Sequence, residues 1–148
     1  MIKLTRQVFV FLFCGYTCAF ALTKDEVKEH VLKGKSYCEK VGISKCVKEF
    51  DKRKGMFTKG ELYIWANNFD GLITAHPMKP LKDKNLYRYK DILGNQLFKN
   101  FIDKVKIDGE GWVNYVWSHP LTKKQTPKSS FVISIGENQL IGAGYYIE

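Results

Sequence analysis

Apolar residues at Val27, Val31, Cys38 and Val41 fall close to one face of a 3.6-residue period, between Thr23 and Glu26 at one end and Gly42 at the other. The Thr/Glu pair has the spacing of a capping box, which satisfies the free amides of a first helical turn. The pattern predicts a helix from about Lys24 to Val41, stopped by the glycine. A second, shorter helix is predicted over roughly Ser44 to Lys52, turning Cys46, Val47 and Phe50 inward. Gly55 and Gly60 bracket a loop, and from Glu61 the pattern changes. Glu61 to Asn68 is dense in aromatic and apolar residues, Asp70-Gly71 signals a turn, and Leu72 to Ala75 reads as the returning strand. His76-Pro77 ends it, because proline has no N–H to give a ladder.

Met78 to Lys90 is then a polar crossing loop rich in lysine and tyrosine. Asp91 is placed to cap a turn, and Leu97, Phe98, Phe101, Ile102 and Val105 repeat at helical spacing until Asp108-Gly109-Glu110-Gly111 breaks the pattern. Trp112 to Ser118, Ser129 to Ile135 and Gln139 to Ile147 read as three more strands, the last two joined by Gly136-Glu137-Asn138. Consecutive strands with tight turns make an antiparallel sheet. The expected fold class is therefore α+β, with helices packed on five or six antiparallel strands.

The first 21 residues stand apart. Lys3 and Arg6 precede an apolar run from Val8 to Cys14, and Ala19-Phe20-Ala21 offers a small-residue cleavage site. This is the order of a secretory signal peptide, cleaved after Ala21. The apolar stretch is shorter than the roughly 20 residues that span a bilayer, so a transmembrane anchor is disfavoured. Residues 22–148 then form one domain, with helices over 22–53 and sheet and pocket over 55–148, exported to the periplasm or secreted. Losing Lys3 and Arg6 lowers the formal charge from +9 to +7. The lysines are spread along the chain without a basic block, which argues for solubility and attraction of anions and against nucleic acid. Cys38 and Cys46 remain in a compartment where disulfides persist. On one continuous helix they would lie too far apart to bridge. A reversal at Gly42 permits a disulfide, and two buried free thiols are the alternative.

Seven segments occur in an order and spacing that resemble the single Cache domain of the second type, an extracytoplasmic sensor module. They are Glu61-Leu-Tyr-Ile-Trp65, Asp70-Gly71, Ala75-His76-Pro77, Asp91-Ile-Leu-Gly94, Gly111-Trp-Val-Asn-Tyr-Val-Trp117, Lys128-Ser-Ser-Phe-Val132 and Gly142-Ala-Gly-Tyr-Tyr146. The resemblance implies a PAS-like fold, with a long amino-terminal helix on a central antiparallel sheet and a ligand cavity between sheet and crossing loop. It implies a small polar ligand, such as a short carboxylate, an amide or urea, or an amino acid. Family members are usually the outer parts of chemoreceptors and sensor kinases. With no output domain or second apolar span after its last strand, this sequence resembles a free-standing exported version, so a membrane receptor or other envelope protein is an expected partner.

Carried over by motif, the pocket residues are Asp91, Tyr115 with Trp117, and Lys128. Strand parity independently puts Tyr115 and Trp117 on one face, and likewise Tyr63 and Trp65. His76 is placed either at the pocket mouth or in a structural turn. Each has a plainer reading as well: Asp91 as a turn acid, the aromatics as core, Lys128 as a solvated lysine. If Asp91 and Lys128 share a cavity, the ligand needs both a donor and an acceptor; if Lys128 stands alone, a short carboxylate fits. Neither His30, His76 and His119 nor the cysteines have a metal-ligand spacing, and no nucleophile elbow, phosphate loop or zincin helix is present. No enzyme activity, cofactor or metal is expected. The competing role is an envelope interaction module, with Tyr87 and Tyr89 as an outward aromatic patch.

Overall fold

A computed structural model describes residues 22–147. The expected leader, with its apolar run and the expected cleavage site after Ala21, lies outside the described residues. Helix α1 (Lys24–Val41) has the expected bounds and the full capping box, with the Thr23 side chain accepting from the Glu26 amide and the Glu26 carboxylate accepting from the Thr23 amide. Helix α2 (Ile43–Phe50) follows directly. Gly42, at a φ of 85°, makes the reversal between them, a conformation that side chains beyond glycine rarely adopt. The reversal brings the Cα atoms of Cys38 and Cys46 to 5.0 Å, and a disulfide joins them. Breaking it with Cys46→Ala is expected to cost about 2–3 kcal/mol, read by denaturant unfolding under oxidising conditions.

The strands are β1 (Thr58–Lys59), β2 (Leu62–Tyr63), β3 (Trp65–Asn68), β4 (Ile73–Ala75), β5 (Glu110–Ser118), β6 (Gln125–Ile135) and β7 (Gln139–Tyr146), with helix α3 (Leu97–Asp108) between β4 and β5. The main sheet has five strands in the order β4-β3-β7-β6-β5, all antiparallel, so the final strand lies at its centre. The single strand expected over Glu61–Asn68 is divided. Its first part, β2, pairs with β1 in a separate two-stranded ribbon, and the chain crosses at Ile64 into β3 of the main sheet. The division escapes the alternation rule because Leu62 through Ala66 are all buried, so no period of two is visible. Strand β6 also starts earlier than expected, at Gln125, and accommodates Pro127 near its end, where the proline carbonyl still accepts from the Ile147 amide.

The sheet separates two apolar cores. On one face, Val27, Val31 and Phe50 of α1 and α2 pack against Ile64, Phe131, Ile133 and Ile141. On the other, Leu97, Phe98, Phe101 and Ile102 of α3 pack against Trp65, Tyr115, Trp117 and Val132. Strand parity sorts β6 between them: Phe131 and Ile133 face the first core, Lys128, Ser130 and Val132 the second. No helix among the described residues is long and apolar enough to cross a membrane.

Candidate ligand-binding site

Lys128 sits in the middle of a row running across the sheet, opposite Tyr115 on β5 and Tyr146 on β7. Its side chain is 1% exposed. The ammonium lies 3.2 Å from the Tyr63 hydroxyl, and 4.5 Å and 4.6 Å from the ring centres of Tyr63 and Tyr146. Aromatic faces attract a cation, yet they do not neutralise it. No carboxylate among the described residues forms an ion pair with Lys128. Burial therefore pushes its pKa down to about 7, with Glu61 acting weakly against that shift and Lys79 with it.

Beside Lys128, β2, β3 and β5 contribute Tyr63, Trp65, Tyr115 and Trp117 to a small cavity, closed by His76 and by Leu97, Phe98 and Phe101 of α3. Its volume is about 10 Å³, room for a single water. Contrary to the expectation of an open hollow between sheet and crossing loop, the space is nearly filled by the rings that line it, with Phe101 edge-on to Tyr115 at 5.0 Å and Phe98 edge-on to Trp117 at 6.2 Å.

The polar atoms here are mostly donors. His76 Nδ1 accepts from the Lys79 amide at 3.1 Å, and burial, helped by Lys128 and Lys79, pushes the imidazole down to about 3. The ring is neutral near pH 7 and carries its proton on Nε2. Burial pushes the Tyr63 hydroxyl up to about 12, with partial relief from the Tyr146 hydroxyl and the Trp117 indole. The Tyr115 and Tyr146 hydroxyls are raised by burial as well; the first bonds Ser130 Oγ at 2.9 Å and the second donates to the Ser118 carbonyl at 3.2 Å. These phenols stay protonated.

Trp65 reaches its place only because β7 has glycine beneath it. A Cβ on Gly142 would stand 2.4 Å from the indole. Gly142→Ala is expected to tilt Trp65 and destabilise the domain by about 1–3 kcal/mol, measurable by urea unfolding.

In contrast to the expectation, neither Asp91 nor Lys128 is part of this lining: Lys128 lies behind Tyr63, and Asp91 is engaged elsewhere. One carboxylate oxygen accepts from the Leu93 and Asn95 amides, both at 2.9 Å, and the other from Asn95 Nδ2 at 3.1 Å and the Val116 amide at 3.0 Å. Burial alone would raise its pKa, and these four bonds together outweigh burial and hold it below the usual carboxylate range. Asp91 fastens its turn to β5, so the plainer reading of this residue describes its surroundings. Sequence reasoning in turn missed Tyr146, Ser130, Lys79 and the phenylalanines of α3. The apolar spacing of Phe98 and Phe101 marked a buried face without saying what it covered. Tyr146 becomes a neighbour of Lys128 only through the register of β6 on β7.

A helix pair on one face of an antiparallel sheet, and on the other a small ring-lined cavity beside a buried lysine, define an α+β domain. A Cache domain model (dCache_2) matches residues 21–148, and the chain belongs to the Cache domain family. Over 88 residues it is 27% identical to the methyl-accepting chemotaxis protein McpP of Pseudomonas putida KT2440, a match covering 58% of this chain and 16% of that receptor's length. Among solved structures it is similar to a periplasmic sensor domain of a chemotaxis protein, at 26% identity and a TM-score of 0.65, covering 82% of this chain and 88% of the other. A Cache chemosensory domain solved to explain carboxylic acid recognition is 25% identical with a TM-score of 0.65, covering 80% and 84%. A methyl-accepting chemotaxis protein from Vibrio parahaemolyticus shares the fold at 24% identity, with a TM-score of 0.73 and coverage of 84% and 88%.

Proposed function

We propose that this domain is a periplasmic sensor for a short carboxylate, held by Lys128 between Tyr63 and Tyr146 and enclosed by Trp65, Tyr115 and Trp117. The observation that carries the reading is the buried Lys128 ammonium, which forms no ion pair with a carboxylate among the described residues. An uncompensated buried charge is costly, and a ligand carboxylate would supply the missing anion through a charge-assisted hydrogen bond. His76 Nε2–H and the Tyr63 hydroxyl are further donors for its oxygens. Amides, ureas and amino acids fit less well, since they also present donors and both oxygens of Asp91 are already occupied. The structurally similar Cache domain associated with carboxylic acid recognition supports the same ligand class.

In this reading a leader cleaved after Ala21 delivers the domain to the periplasm, the site binds without performing a reaction, and a membrane receptor or other envelope protein receives the signal. The alternative, a docking module with an outward patch at Tyr87 and Tyr89, keeps one of its two rings, since Tyr89 is 41% exposed. Tyr87 packs against the second core and Tyr89 stands edge-on to Trp117 at 5.9 Å.

A thermal-shift screen of the purified chain with acetate, propionate and pyruvate, against acetamide, urea and glycine, tests the ligand class. A carboxylate at a hundred times its dissociation constant adds about 2.7 kcal/mol and should raise Tm by several degrees. A shift with acetamide or urea and none with the acids would reject the carboxylate reading.

A further inference from the structure

A cavity that holds one water cannot admit even acetate without some wall moving, and the structure singles out which. The strands that carry Trp65, Tyr115, Trp117 and Lys128 are fixed in ladders. In α3, Leu97, Phe98 and Phe101 are buried to 2% exposure or less. Of the two lining residues left, Tyr63 is paired in the β1–β2 ribbon, and His76 opens the segment after β4, residues 76–82, which forms no ladder. It presses His76 against Tyr63, with ring centres 5.3 Å apart, and sets the Lys79 ammonium 4.2 Å over the Trp117 ring.

Both ends of this strap are held by one carboxylate. Asp51, the residue that follows α2, accepts from the His76 amide through Oδ1 at 3.1 Å and from Lys82 Nζ through Oδ2 at 3.0 Å. Just past Lys82, the Asp83 amide donates to the Ile73 carbonyl and the Lys84 carbonyl accepts from the Ile73 amide, so the chain beyond is pinned to β4. Asp83 itself has a φ of 66°, a left-handed backbone that only its surroundings enforce, and it marks the far end of the movable piece. Pro77 and Pro80 stiffen what lies between. Asp51 in turn is carried by the helix pair that the Cys38–Cys46 disulfide ties together.

We propose that residues 76–82 form a gate over the ligand pocket and that Asp51 is its latch, a positioning residue that sets how fast ligand enters and leaves without touching it. The inference rests on the carboxylate-binding reading for its cargo, while the latch itself is independent of any ligand. Because the latch bonds the strap and not the ligand, loosening it should favour the open form equally in the free and the bound domain. Entry and exit then accelerate together and affinity is preserved.

Hydrogen exchange on the purified chain tests the latch without ligand. In Asp51→Ala the hydrogen-bonded amides of the strap, those of His76, Lys79 and Leu81, should exchange roughly tenfold faster, with the β5–β7 ladder amides unchanged. Asp51→Asn, which keeps an acceptor for His76, should fall between it and the wild type, and the surface change Lys82→Met should act in the same direction. Unaltered exchange in both Asp51→Ala and Lys82→Met would overturn the latch. Stopped-flow binding of propionate tests the gate: association and dissociation rates should rise by the same factor in Asp51→Ala. Unchanged rates, or an affinity loss carried by dissociation alone, would overturn it. Failure of propionate and the other acids to bind the wild type would remove the carboxylate reading, and the exchange result would still decide the latch.

Discussion

Lys128→Met is expected to abolish carboxylate binding and, in the same protein, to make the free domain more stable. These opposite effects have one cause. With a pKa near 7 in the folded state against 10.5 for an ordinary lysine, the buried ammonium opposes folding by on the order of 3–4 kcal/mol near neutral pH. Methionine of similar length leaves the space between Tyr63 and Tyr146 filled and removes the charge. Denaturant unfolding without ligand should therefore show a higher midpoint than wild type. Calorimetry with propionate should show affinity weakened by about a hundredfold or more, as when one member of a buried charge pair is removed. A variant less stable than wild type that still binds the acid would show Lys128 to be an ordinary structural residue.

Binding to the wild-type domain should also weaken steeply with alkali. Lys128 offers a charge to the ligand only when protonated, and in the free domain it loses its proton through about pH 7. A bound carboxylate favours the ammonium and raises that pKa, so association takes up a proton. Affinity should fall roughly tenfold per pH unit above 7 until the pKa of the bound form is reached. Calorimetry in two buffers of different ionisation enthalpy at pH 8 measures the proton directly. Equal affinity at pH 6 and pH 9, with no proton uptake, would contradict the mechanism.

The free domain should move the opposite way. A folded pKa below the unfolded value means that the unfolded chain holds more protons between about pH 7 and 10.5, so stability rises with pH across that window. Lys79, whose pKa is lowered by burial and then by Lys123, adds in the same direction. His76 acts between about pH 3 and 6.5, below this window, and Tyr63 opposes the trend only from about pH 10, where its hydroxyl begins to ionise in the unfolded chain. The domain thus becomes sturdier as its ligand site loses its charge.

Some of this arrangement was legible from residue patterns. The helix over Lys24–Val41 was marked at both ends by local chemistry, a capping box and a glycine, and its bounds needed no tertiary information. The apolar period of α3 and the alternation at Tyr115 and Trp117 likewise identified buried faces. The crossover at Ile64 was not legible, because six consecutive buried residues, Leu62 to Asn67, read the same whether a strand continues or changes sheet. Asp91 shows the limit of motif transfer: its position was found, and its oxygens were spent on amides that no motif displays.

Local sequence, then, determined which segments become helices and strands, where cysteines can meet across Gly42, and which faces carry rings, since caps, turns and periodicity act over a few residues. Tertiary packing alone decided that Lys128 is enclosed, that Tyr146 and Tyr63 flank it, and that Asp51 holds both ends of the strap over the pocket. Those relations join residues far apart in the chain, and a side chain's protonation and reach depend on which distant atoms exclude water from it.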